Sequence, residues 1–104
     1  MPHIEKGLTK AKLVKFFREY KQFLSKEFGV REIALFGSWV KNLQKEGSDL
    51  DLLVELRPES KTFDNYMNLK FYLEDRLQIK VDLVLKNSLR PEFKEAILAE
   101  AFHA

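Results

Sequence analysis

The sequence has no cysteine. Disulfides, thiolate metal sites and a cysteine nucleophile are therefore excluded. Histidine is almost as scarce, with only His3 and His103 near the ends of the chain, where side chains are usually too poorly ordered to build a site. A histidine-based triad or a histidine-ligated zinc centre is not expected. No apolar run is long enough to cross a bilayer, and no charged-then-apolar leader opens the chain. The expected setting is cytoplasmic, with no membrane partner. The formal charge of +2 is too small to argue for nucleic acid, and the lysines are spread as on any solvated surface. Direct nucleic-acid binding is not expected.

What is present is 104 residues, 45% of them hydrophobic and 33% charged. That suits one domain, residues 1–104, with a modest core. Internal repeats, low-complexity segments and linkers are absent from the sequence. From Thr9 to Phe28, the residues Leu13, Phe17, Tyr20, Leu24 and Phe28 recur at steps of three and four. This predicts one amphipathic helix, stopped by Gly29. Arg31–Phe36 reads as a strand that ends at Gly37-Ser38. Trp39–Gln44 is predicted as a short helix capped by Ser38, and residues 45–48 as a turn.

Asp49–Leu56 alternates, with Leu50, Leu52, Val54 and Leu56 on one face and Asp49, Asp51, Leu53 and Glu55 on the other. Phe63–Leu77 carries Tyr66, Leu69, Leu73 and Leu77 at helical spacing. Ile79–Leu85 is a third alternating strand, with Asp82 on its polar face. Asn87-Ser88 turns the chain into a final helix with Pro91 in its first turn and Ile97, Leu98 and Ala101 on its apolar side. The order α-β-α-β-α-β-α predicts two layers, with helices packed on one face of a small sheet and an open polar face opposite.

Aspartate is disfavoured in strands, yet three stand in or beside strand-like runs. Asp49 and Asp51 project from the same face, roughly 7 Å apart along the backbone. Two carboxylates that close repel unless a proton or a cation intervenes. If the second and third strands are neighbours, Asp82 joins them. Three oxygen ligands without histidine or cysteine suit a hard cation such as Mg²⁺ or Mn²⁺ rather than zinc. Singly, each has an ordinary explanation: Asp49 as a turn residue, Asp51 and Asp82 as solvated strand positions. Gly37-Ser38 alone is common loop punctuation. Together the features read differently. Glycine admits a phosphate to the backbone, and a helix N-terminus with a serine hydroxyl attracts anions. A phosphate cradle beside a divalent-cation site is the equipment of phosphoryl or nucleotidyl transfer.

Gly37-Ser38, ten residues, Asp49-Leu50-Asp51 and a later strand aspartate are similar to the signature of the nucleotidyltransferases of the DNA polymerase β superfamily. The runs Leu35-Phe-Gly-Ser38, Ser48-Asp-Leu-Asp-Leu-Leu-Val54, Lys80-Val-Asp-Leu-Val84 and Leu89-Arg-Pro-Glu92 resemble the minimal nucleotidyltransferase group. Those are single small domains often encoded beside a HEPN-domain protein. The resemblance runs from about Ile33 to the C-terminus. It implies an α+β, two-layer nucleotidyltransferase fold with a small mixed sheet and helices on one face. It implies that Gly37 and Ser38 contact the triphosphate of a nucleoside triphosphate, with ATP favoured. Asp49 and Asp51 would bridge two Mg²⁺ ions, for which Mn²⁺ can substitute. Asp82 would ligate the catalytic ion and help to take the proton from the attacking hydroxyl.

Many relatives carry a basic residue directly after the Gly-Ser, another two positions later, then glycine. Here those positions are Trp39, Lys41 and Asn42. The resemblance implies that Lys41 would keep a phosphate contact as a point charge, without arginine's bidentate fork. Trp39 reads as a gap-filler under the short helix. The implied activity is a Mg²⁺-dependent protein adenylyltransferase, an antitoxin that modifies a HEPN-domain toxin. The alternative is a nucleotide- and metal-binding antitoxin module that neutralises its partner by contact, without catalysis.

Overall fold

The chain enters the fold through two helices where the periodicity predicts one. α1 (Lys10–Glu19) and α2 (Lys21–Phe28) meet at Tyr20, whose φ of −97° and ψ of 6° leave the helical region. Neither glycine nor proline marks the kink. Tyr20 instead stacks on Phe16 with ring centroids 4.5 Å apart, and its ring carries the Arg76 guanidinium at 5.7 Å. The computed structural model describes residues 9–36, 49–88, 91–92 and 102–103. Thr9 caps α1 by accepting from the Lys12 N–H at 3.2 Å. α2 closes on Gly29 at φ 71°, as predicted. A Cβ on Gly29 would sit 1.9 Å from Ser60 Oγ, so conformation and space both demand glycine there.

β1 (Val30–Phe36) runs antiparallel to β2 (Leu50–Leu56). A single 3₁₀ turn, Pro58–Ser60, leads to α3 (Phe63–Leu77), which Thr62 caps at the Asn65 N–H. β3 (Val81–Leu85) lies parallel to β2. It begins two residues later than predicted, because Gln78 adopts φ 54° to end α3 and Ile79 packs on the core instead. A fourth strand, β4 (Phe102–His103), pairs antiparallel with Ala34 and Leu35 of β1. The sequence reading has no strand there and places His103 on a poorly ordered end. Backbone pairing with β1 overrides that expectation. The sheet order is β3-β2-β1-β4, a mixed sheet as expected. Pro91 and Glu92 are helical, in keeping with the predicted start of the final helix. The rest of that helix, the short helix Trp39–Gln44 and the turn 45–48 lie outside the described residues.

All three described helices pack on one face of the sheet. Leu50, Leu52, Val54 and Leu56 are each at most 1% exposed, packed in one cluster with Leu13, Phe17 and Leu24 and with Leu69, Leu73 and Leu77. The opposite face is not open throughout, as the alternation suggests. Ala34 and Leu53, register partners on β1 and β2, are buried there and stand outside that cluster. The face is polar only towards its ends. Asp51 and Asp82 lie at one end. At the other, Glu32 faces Glu55 across the ladder and binds Lys86 at 3.3 Å. Among the described residues, no helix is long and apolar enough to cross a membrane.

Candidate active site

β2 and β3 are direct neighbours, which meets the condition on which convergence of the acids depends. Their parallel register sets Leu50 against Val81, Asp51 against Asp82 and Leu52 against Leu83. The leucines and valine turn to the helices, so both carboxylates turn to the other face. Adjacent strands lie about 4.8 Å apart, which brings the two acids side by side. Asp49 stands one residue ahead of β2 and is exposed, as is Asp82, while Asp51 is half-buried.

The electrostatics follow from that placement. The Asp51 carboxyl is held above its ordinary value of 3.8, first by burial, then by the charge of Asp82, then by that of Asp49. All three causes disfavour the carboxylate, and a cation would reverse two of them. The three acids do not form a finished cage. Among the described residues, no trio of His, Cys, Asp or Glu side chains is gathered closely enough to hold a metal ion. A divalent cation such as Mg²⁺ would not require one, because it can keep waters and take oxygens from substrate phosphates. The donor chemistry, oxygen only and mutually repelling, fits a hard divalent cation.

Gly37, Ser38 and Lys41, the predicted triphosphate contacts, lie outside the described residues, as do Trp39 and Asn42. The chain nevertheless fixes where that segment begins. Phe36, the last residue of β1, is the register partner of Asp51 on the side away from Asp82. The chain therefore leaves β1 at the acid end of the sheet. A cleft of about 550 Å³, lined in part by Leu24, Val30, Ile33 and Arg57, opens instead at the far end of β1. It has no acid of the site in its wall.

Two residues of the site's surroundings escaped the sequence reading. Periodicity places Tyr66 on the apolar stripe of α3, yet its hydroxyl donates to the Leu83 carbonyl. Glu74 was not singled out, yet its Oε2 accepts from the Val81 N–H at 2.9 Å. A tyrosine in a core stripe whose hydroxyl needs a partner is the one signal the sequence offered.

Residues 17–101 match the nucleotidyltransferase domain family. The chain is 38% identical over 96 residues to protein adenylyltransferase MntA of Thermococcus cleftensis, covering 92% of this chain and 96% of that protein. A solved structure described as a minimal nucleotidyltransferase superposes with a TM-score of 0.77 and 32% identity, over 93% of this chain and 97% of the other. The fold also recurs in a solved complex of a tri-AMPylated Shewanella oneidensis HEPN toxin with an MNT antitoxin. There the TM-score is 0.56 and the identity 20%, over 89% of this chain and 66% of the matched one. Enzymes of this domain family generally use divalent metals. The match spans β1 through β3 with the acid end of the sheet inside it, and the chain belongs to the nucleotidyltransferase domain family.

Proposed function

We propose that this chain is a Mg²⁺-dependent protein adenylyltransferase that transfers AMP from ATP to a hydroxyl of a HEPN-domain toxin and so acts as its antitoxin. The observation that carries the reading is the register of Asp51 with Asp82 on one side and with Phe36, the last residue of β1, on the other. The kinship with a protein adenylyltransferase and with an antitoxin bound to an AMPylated toxin supports the choice of nucleotide and acceptor.

In this reading Asp49, Asp51 and Asp82 hold two Mg²⁺ ions, and Gly37, Ser38 and Lys41 steady the triphosphate. When bound, the ions would supply positive charge to the attacking oxygen and to the leaving pyrophosphate. The acceptor oxygen attacks the α-phosphorus. A phosphorus–oxygen bond forms to the acceptor as the bond to the α–β bridging oxygen breaks, and pyrophosphate departs with that electron pair. Asp82, exposed on the acid face, takes the acceptor's proton. AMP adds a negative phosphate to the partner, which opposes binding of an RNA backbone. A tyrosine hydroxyl is the acceptor the reading favours.

The test is incubation of the chain with each of the four labelled nucleoside triphosphates, Mg²⁺ and the HEPN-domain protein encoded beside it. Label from the α-phosphate of ATP should pass to the partner. Absence of transfer from any triphosphate, with the partner still silenced, would replace this reading by neutralisation through contact alone.

A further inference from the structure

Among the described residues β3 is an edge strand, so one side of its backbone meets no other described strand. Successive residues of a strand turn their N–H and C=O groups to opposite sides. The Lys80 carbonyl accepts from Leu50 of β2 at 2.8 Å, so Lys80 and Asp82 face the ladder while Val81 and Leu83 face outward. Bare outward groups are the usual liability of an edge. Here α3 takes up one group on each of these two residues. Glu74 Oε2 accepts from the Val81 N–H at 2.9 Å, and the Tyr66 hydroxyl donates to the Leu83 carbonyl. The two bonds fall on the residues immediately before and after Asp82.

We infer that Tyr66 and Glu74 are positioning residues for the acid site, gripping the outer edge of β3 on both flanks of Asp82 and holding it level with Asp51. The register is worth holding. A slip of one residue would turn Asp82 into the leucine core and bring Val81 or Leu83 onto the acid face. The β2 ladder opposes such a slip from one side, and α3 opposes it from the other. α3 itself is fixed by Leu69, Leu73 and Leu77, all fully buried. Glu74 is held by Lys70 one turn earlier, at 3.5 Å. The inference rests on the proposed metal-binding role of Asp49, Asp51 and Asp82.

The experiment measures Mn²⁺ affinity by calorimetry on the full chain in the presence of a non-hydrolysable ATP analogue. It compares wild type, Tyr66→Phe, Glu74→Met and Glu74→Gln, with the melting temperature of each taken in chelator. Tyr66→Phe and Glu74→Met should weaken Mn²⁺ binding by about 3–10-fold, less than the roughly 10–100-fold seen when a direct partner of a metal ligand is removed. Glu74→Gln should bind as wild type, because its amide oxygen still accepts from Val81 and the lost charge is not what matters. Amide exchange at Val81 should quicken in Glu74→Met and not in Glu74→Gln. Tyr66→Phe removes one oxygen from a ring that stays packed, and it keeps the comparison decisive if Glu74→Met fails to fold. Wild-type Mn²⁺ affinity in Tyr66→Phe and in whichever Glu74 variants fold would overturn the grip and leave the acid site standing. A wild-type chain that binds no Mn²⁺ would overturn the acid site and the grip together.

Discussion

Asp51 stands directly across the parallel ladder from Asp82, so that two carboxylates on sequence-distant strands become lateral neighbours on the face away from the helices. Such a pair costs stability whenever both are ionised and nothing positive lies between them. A fold that keeps it has either a use for the negative charge or a cation to meet it. The consequences below separate those roles from ordinary structural ones.

Asp51→Asn should not weaken the fold in chelator. Like charges set opposite each other across strands cost about 0.2–1 kcal/mol, so the variant should melt at the same temperature or slightly higher near neutral pH. Asp51 is an acid with a raised folded-state value. Its cost is therefore fully present above that value, shrinks as pH falls through it, and vanishes below the unfolded value of 3.8. The gap between variant and wild type should close over that window as the solution is acidified. A large drop in melting temperature for Asp51→Asn in chelator would reveal a structural partner for the carboxylate instead.

Metal should act through nucleotide. Mn²⁺ binding should be weak alone and tighten when ATP is present, since substrate phosphates complete the coordination. The same combination should raise the melting temperature of wild type by linkage and leave that of Asp49→Asn/Asp51→Asn unmoved. Equal Mn²⁺ affinity in wild type and double variant by calorimetry would remove these residues from the site.

Gly29→Ala should be the costly substitution away from the acids. The new methyl would meet Ser60 Oγ at 1.9 Å while the backbone stays at φ 71°. Overpacking of this kind costs about 1–3 kcal/mol, to which the left-handed conformation adds about 1 kcal/mol. Chemical denaturation should show that loss, and transfer activity below the transition should remain. A neutral Gly29→Ala would mean that α2 and the Pro58–Ser60 turn yield easily.

Ser38→Ala should impair without abolishing. One hydrogen bond to a charged phosphate is worth about 1.5–3 kcal/mol, or roughly 10- to 100-fold, and the loss should appear in KM for ATP. A collapse of kcat at unchanged KM would give the hydroxyl another role.

Much of this was legible in the sequence, and for physical reasons. Alternation in Asp49–Leu56 and Ile79–Leu85 places leucines on one face and acids on the other, because strand side chains have a period of two. The stripe of α3 and the glycine stop of α2 are equally local signals. What sequence could not supply was pairing. That β2 and β3 are parallel neighbours in a register matching Asp51 to Asp82 depends on the crossover through α3, not on either strand alone. The two-residue β4 is too short to have a period. The kink at Tyr20 has no breaker residue, and the burial of Ala34 and Leu53 on the acid face breaks the binary pattern that made the face look open.

The central claim, that the acids perform transfer onto a protein partner, is tested most directly by intact mass. The chain, ATP, Mg²⁺ and its HEPN-domain neighbour are incubated together, and the neighbour is weighed by mass spectrometry, with Asp49→Asn/Asp51→Asn run in parallel. The account predicts a gain of one or more AMP units on the neighbour with wild type and none with the variant, and suppression of the neighbour's toxicity only with wild type. A neighbour silenced equally by both proteins without any gain in mass would contradict it.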